Sequence, residues 1–173
     1  MSVTYVPIRL QIMRQLQALI EGATFGEGSL AGRVSRGKIL MGDEIPQGPW
    51  VNIIEAPRPD FPSFTANEAR LDDWVILLEG SIERDEQGQS DPAYILQAEV
   101  ELQLSKVFLT SPTTGRPAYP EVHKAFNGLV SSLQPYPPVI RPVENMMGRI
   151  AFYQPLTIGV PSLLSGPFVK IEQ

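Results

Sequence analysis

A chain of 173 residues, 43 % of them hydrophobic, has the size of one domain and enough apolar material for its own core. It carries no cysteine and a net charge of −5, which removes disulfides, thiolate zinc sites and cysteine nucleophiles. No basic stripe of the kind that neutralises phosphates is present, and no run of about 18 apolar residues is available to span a bilayer.

The opening MSVTYVPIRLQIMRQL has charge within its hydrophobic part and no small-residue cleavage site, so it does not read as a secretory leader. Pro7 to Glu21 predicts a first helix. Ile8, Ile12, Leu16, Leu19 and Ile20 share one stripe, with Arg9, Gln11, Arg14, Gln15 and Gln17 on the other side. Pro7 suits the first turn, and Gly22 suits a left-handed residue just past the end. Gly26 to Ala31 (GEGSLA) fits a short dinucleotide fingerprint, but a helix precedes it and no helical stripe follows. Gly32 to Lys38 (GRVSRGK) approaches a phosphate-binding loop, yet Ile39 stands where Ser or Thr would hold magnesium. The segment after Gly37 reads as a strand, so a turn between Val34 and Ile39 is the expectation.

Trp50 to Glu55 (WVNIIE) predicts a strand, entered through the turn residues Pro46, Gly48 and Pro49. Residues 56–70 form a long connection holding three prolines together with Phe61 and Phe64. A loop of this length is usually functional or disordered, and its two aromatics either pack locally or plug a partner.

Leu71 to Val107 organises the rest. Trp74, Ile76, Leu78, Gly80 and Ile82 alternate onto one apolar face of a strand. Val75, Leu77, Glu79, Ser81 and Glu83 form the other face, apolar early and acidic late, which predicts a strand running from covered ground towards solvent or a partner. Arg84 to Ser90 is a hydrated loop. Asp91 and Pro92 then start a helix to about Val107, with Asp91 as the cap. Ala93, Leu96, Val100, Leu104 and Val107 share its main face, while Ile95, Ala98 and Leu102 make a second ridge. That second ridge lies either under another segment of the chain or against a neighbouring subunit.

Residues 108–120 form a second loop rich in Ser, Thr, Gly and Pro, and Glu121 to Asn127 reads as a short helix carrying the lone histidine, His123, expected at the surface. Leu129 to Leu133 and Val139 to Val143 read as short strands. Arg149 to Val160 is a long strand whose Pro155 predicts an edge or a bend. The apolar tail (Leu163, Leu164, Phe168, Val169, Ile171) has enough to dock. Asp72, Asp73, Glu79, Glu83, Asp85, Glu86 and Asp91 make an acidic region. It reads as a solvated rim, because paired-carboxylate chemistry needs two groups held at a set separation in a cleft. No catalytic, cofactor-binding or metal-ligating constellation is legible.

The N-terminal helix, the short strands, the strand LDDWVILLEG at 71–80, the acidic loop, the helix headed by DPAY at 91–94 and the strand AFYQPLTI at 151–158 come in an order that resembles a known family. That family is the tail terminator (tail-completion, minor tail protein) proteins of long-tailed bacteriophages. The resemblance covers most of the chain as topology and lies in pattern at 71–107 and 150–160, without a signature motif. The proline-rich loops at 56–70 and 111–120 depart from it.

The resemblance implies an α+β domain: a twisted, mostly antiparallel sheet with two main helices packed against it. It also implies a ring of six copies on the end of the tail tube in the virion. Such a ring ends tube polymerisation and presents its other face to the head–tail connector protein, while DNA passes the lumen without specific binding. No enzyme activity, cofactor, metal or membrane is implied. Ile95, Ala98 and Leu102 would supply a subunit contact, and Phe61 and Phe64 a contact to the tube protein or the connector. The net acidity suits a lumen that DNA traverses. Two alternatives stay open: a neck or head–tail connector without length control, and a small hydrolase using the acidic cluster.

Overall fold

The computed structural model describes residues 3–25, 28–38, 47–55, 70–85, 87, 90–106, 126, 128–130, 132–142, 148–162 and 168–172. Its main sheet has six strands: β4 (Val34–Arg36), β5 (Trp50–Glu55), β6 (Arg70–Glu83), β7 (Ser132–Pro135), β8 (Val139–Pro142) and β9 (Arg149–Ser162). They are ordered β4-β5-β6-β9-β7, with β8 also paired to β9. All pairings are antiparallel except β4 with β5. Helices α1 (Ile8–Glu21) and α2 (Asp91–Ser105) join it, making the α+β fold. Two small ribbons complete the described residues: β2 (Thr24–Phe25) with β3 (Gly28–Ser29), and β1 (Val3–Pro7) with β10 (Phe168–Glu172).

Alternation along β6 and β9 determines which face the helices cover. Trp74, Ile76, Leu78 and Ile82 are buried on one face of β6, beside Ile150, Phe152, Leu156, Ile158 and Val160 of β9. Every second residue of a strand points the same way, so register places these two rows side by side. Gly80 lies opposite Phe152, and the ring occupies the space a side chain would take: a Cβ built on Gly80 would overlap Phe152 Cε1. Glycine in this strand is therefore a close-approach residue.

The helices close the core from that side. Ile12, Met13, Leu16 and Ile20 of α1 are buried, as are Ala93, Leu96, Val100 and Leu104 of α2. Burial of each larger side chain contributes roughly 1.5–3 kcal/mol, as an upper bound. Gln17 Nε2 donates to the Val34 carbonyl at 3.0 Å, tying α1 to the edge strand β4.

Several expected details differ. Ser90, not Asp91, is the N-cap of α2 and makes no side-chain cap bond; Asp91 sits in the first turn, where its charge still complements the helix dipole. Pro7 is the N-cap of α1 and the last residue of β1. Gly22 is right-handed, at φ −74°. Its lack of a side chain serves packing, since an added Cβ would overlap Gln103 Nε2 on α2.

β9 is not an edge strand despite Pro155, because it is flanked by β6 on one side and by β7 and β8 on the other. The Pro155 carbonyl accepts from the Tyr136 N–H at 2.9 Å. A residue's N–H and C=O point to the same side of a strand, so the missing donor falls on that side too. There the partner chain bulges. Tyr136, Pro137 and Pro138 oppose only Gln154 and Pro155 between the pairs Pro135–Leu156 and Val139–Tyr153. Gln154, fully buried in the core row, steadies the bulge by donating from Nε2 to Glu101 Oε1 (3.0 Å) and the Tyr136 carbonyl (3.4 Å).

Lys38 lies outside any strand, and the strand expected to follow it falls at 39–41, outside the described residues. The strand expected from Leu129 starts only at Ser132. His123, the helix expected around it and the two long loops are also outside the described residues, apart from the buried turn residue Phe126.

Candidate subunit interface

At 3.6 residues per turn, the buried side of α2 leaves an opposite side made of Asp91, Tyr94, Ile95, Ala98 and Leu102. All five are exposed: Tyr94 to 58 %, Ile95 to 52 % and Leu102 to 57 %. Among the described residues, no other segment of the chain covers this ridge. An apolar ridge of this kind on a helix already packed on its own sheet points to a further contact. Tyr94 was missed in the sequence, although its spacing of four from Ala98 places it beside the ridge. Phe61 and Phe64 lie outside the described residues.

The sheet face turned away from the helices carries the remaining features. β6 was expected to be covered where this face is apolar and open where it is acidic; the apolar start is open instead at Val75, while the acidic end is open at Glu83 as expected but not at Ser81. Val75 is exposed, Leu77 and Glu79 are half-buried, and Ser81 is buried beside buried Trp50, Asn52 and Ala151. Arg149 is the reason at the acidic end. Its guanidinium donates to Glu83 Oε1 (2.7 Å), to Ser81 Oγ (3.1 Å) and to the Gly48 carbonyl (3.0 Å), folding the turn before β5 onto the sheet. Asn52 is satisfied in the same layer, donating from Nδ2 to the Lys38 carbonyl and accepting from Ser35 Oγ.

Partial burial alone would raise the Glu83 carboxyl. The Gly48 N–H at 2.8 Å, its own backbone N–H and the Arg149 guanidinium outweigh that and hold it below the ordinary 4.5. A carboxylate with a depressed folded pKa adds stability that is present above the unfolded pKa and lost as pH falls through the folded one. Glu83 is half exposed, so solvent screening limits the effect to about 0.5–1 kcal/mol. Glu83→Gln should therefore lower the denaturant midpoint at pH 7 and lose that difference near pH 3. An equal deficit at both pH values would sink the ion-pair account.

Further along, Tyr153 lies between Glu79 on β6 and Val139 on β8. The Arg141 guanidinium stacks over its ring at 4.6 Å from the centroid. Burial and then the Glu79 charge raise the phenol above 10, against the lowering effect of Arg141. Val139 is 59 % exposed and Tyr136 41 %. Val75, Leu77, Pro155 and Val139 thus form a diagonal apolar band across β6, β9 and β8, and exposed Arg141 lies at its far end. Among the described residues, Glu79, Glu83 and Asp91 do not gather into one cleft. Glu83 is spent on Arg149 and Glu79 faces Tyr153, while Asp91 heads α2. Among the described residues no group of three or more His, Asp or Glu side chains is placed to hold a metal ion.

No protein-family model matches this chain, and no curated protein matches it.

Proposed function

We propose that the protein is a structural virion component, a tail-terminator-like subunit that closes into a ring on the tail tube and ends its polymerisation. The observation that carries this reading is the exposed apolar ridge Tyr94–Ile95–Ala98–Leu102 on the outer side of α2. A ring is built from heterologous contacts, each joining a surface to a different surface of the next copy until the rotation closes. The ridge is a ready first half of such a contact. Once closed, the ring offers no site for a further tube subunit, and its free side is available to the head–tail connector. The order of elements supports the same reading through its resemblance to tail terminators, and the net charge of −5 suits a lumen through which DNA passes.

Electron microscopy of lysates from a phage lacking this gene tests it. Overlong tubes beside tailless, DNA-filled heads are the expected result. Tails of normal length that fail to join heads would replace length control by a connector role, and intact virions would end both readings.

A further inference from the structure

We infer that the second half of the contact is the diagonal band of the open sheet face: α2 of one copy lies across Val75, Leu77, Pro155 and Val139 of the next, with Asp91 against Arg141. This docking rests on the ring reading above and specifies its geometry.

The two surfaces match in order and spacing. On the outer side of α2, Asp91, Ile95, Ala98 and Leu102 follow one another at intervals of four, three and four residues. Asp91 stands roughly 6 Å along the axis from Ile95, and Ile95 roughly 10 Å from Leu102. On the sheet, Arg141 is two residues from Val139 on the same side of β8, or roughly 7 Å. Val139 is separated from Leu77 by two strand spacings and two residues of register, or roughly 12 Å. A charge followed by two apolar positions is thus met by the opposite charge followed by two apolar positions. Ile95 falls over Val139, and Leu102 falls over Leu77 and Pro155.

Charge selects this direction. Asp91 is exposed at the N-terminal end of the ridge and Lys106 lies beyond its C-terminal end. Reversing the helix on the band would set Lys106 towards Arg141, a like-charge contact. Arg141 is presented for the contact by its stacking on Tyr153. The occupant is a second copy of this chain, because among the described residues the helix ridge and Val75, Val139 and Arg141 of the band are exposed, and the two surfaces complement each other in charge.

The native chain has no cysteine, so introduced thiols report on one contact only. The full-length Ile95→Cys/Val139→Cys protein would be treated with a short thiol-to-thiol crosslinker, alone at high concentration and on purified tail tubes. A ladder of covalent multimers ending at a closed ring is expected, with each single variant remaining uncrosslinked. Dimers from Ile95→Cys alone, stopping at two, would show a symmetric helix pair and overturn the proposal. Rings visible by microscopy without a ladder would overturn this docking and leave the ring reading standing; normal tails in the gene deletion would overturn the ring reading itself. Asp91→Arg and Arg141→Asp should each raise the concentration needed for assembly by roughly tenfold. Combining them should restore it, and failure to restore would remove the Asp91–Arg141 pairing.

Discussion

Leu102→Asp is expected to abolish ring assembly while leaving a folded monomer. Leu102 is 57 % exposed, so its replacement costs the fold little. The lower helix propensity of aspartate and an added negative charge near the helix C-terminus together come to about 1 kcal/mol. Assembly is affected far more, because a carboxylate would be pressed into an apolar contact without a partner, at several kcal/mol per interface. A closed ring repeats that loss at every junction. Circular dichroism with thermal melting would report the intact monomer. Electron microscopy of tails complemented with the variant would report the missing rings, and Leu102→Met should assemble normally as the control. Rings that persist with Leu102→Asp would move the interface away from α2.

Gly80→Ala should destabilise the monomer itself, by about 2–3 kcal/mol, corresponding to a melting point lower by roughly 5–10 °C. The added methyl would meet the Phe152 ring well inside contact distance, and that ring is fully buried. Phe152→Ala alone should cost about 3–5 kcal/mol through the cavity it leaves. The two losses should not add, since removing the ring removes the clash. Denaturant unfolding of the two single variants and the double variant measures this. An additive double variant would mean that the strain lies elsewhere around Gly80.

The sequence was most informative where one local period coincided with one buried face. The four buried apolar residues of α2 all lie on the expected main face, whereas buried Gln97 and Gln103 do not belong to it, and β5, β6 and β9 start and stop within two residues of the expected positions. The ridge Ile95–Ala98–Leu102 was legible for the same reason, although periodicity cannot say whether a second apolar ridge is covered. Features set by distant parts of the chain were not legible. Pro155 is compatible with an inner strand only because Tyr136–Pro138 bulge opposite it. The buried setting of Ser81 beside Arg149 depends on the turn at Gly48, more than thirty residues before Ser81. Gly22 had the composition of a left-handed cap, but its role depends on Gln103 across the helix pair. The band on the open sheet face was hidden because its members come from three strands and share no local pattern.

The ribbon of β1 and β10 has a consequence for the order of folding. It pairs Val3 with Glu172 and Pro7 with Phe168, outside the main sheet. Two strands alone are marginal in water, and this pair closes a loop of nearly the whole described chain, which makes its formation costly and late. During synthesis the first strand must wait, unpaired, until the last one has emerged, while the main sheet can already be complete. The ribbon is therefore expected to be the final step of maturation and the first element to open. If the proposed ring forms, the ribbon is also the place where one chain could lend its strand to a neighbour.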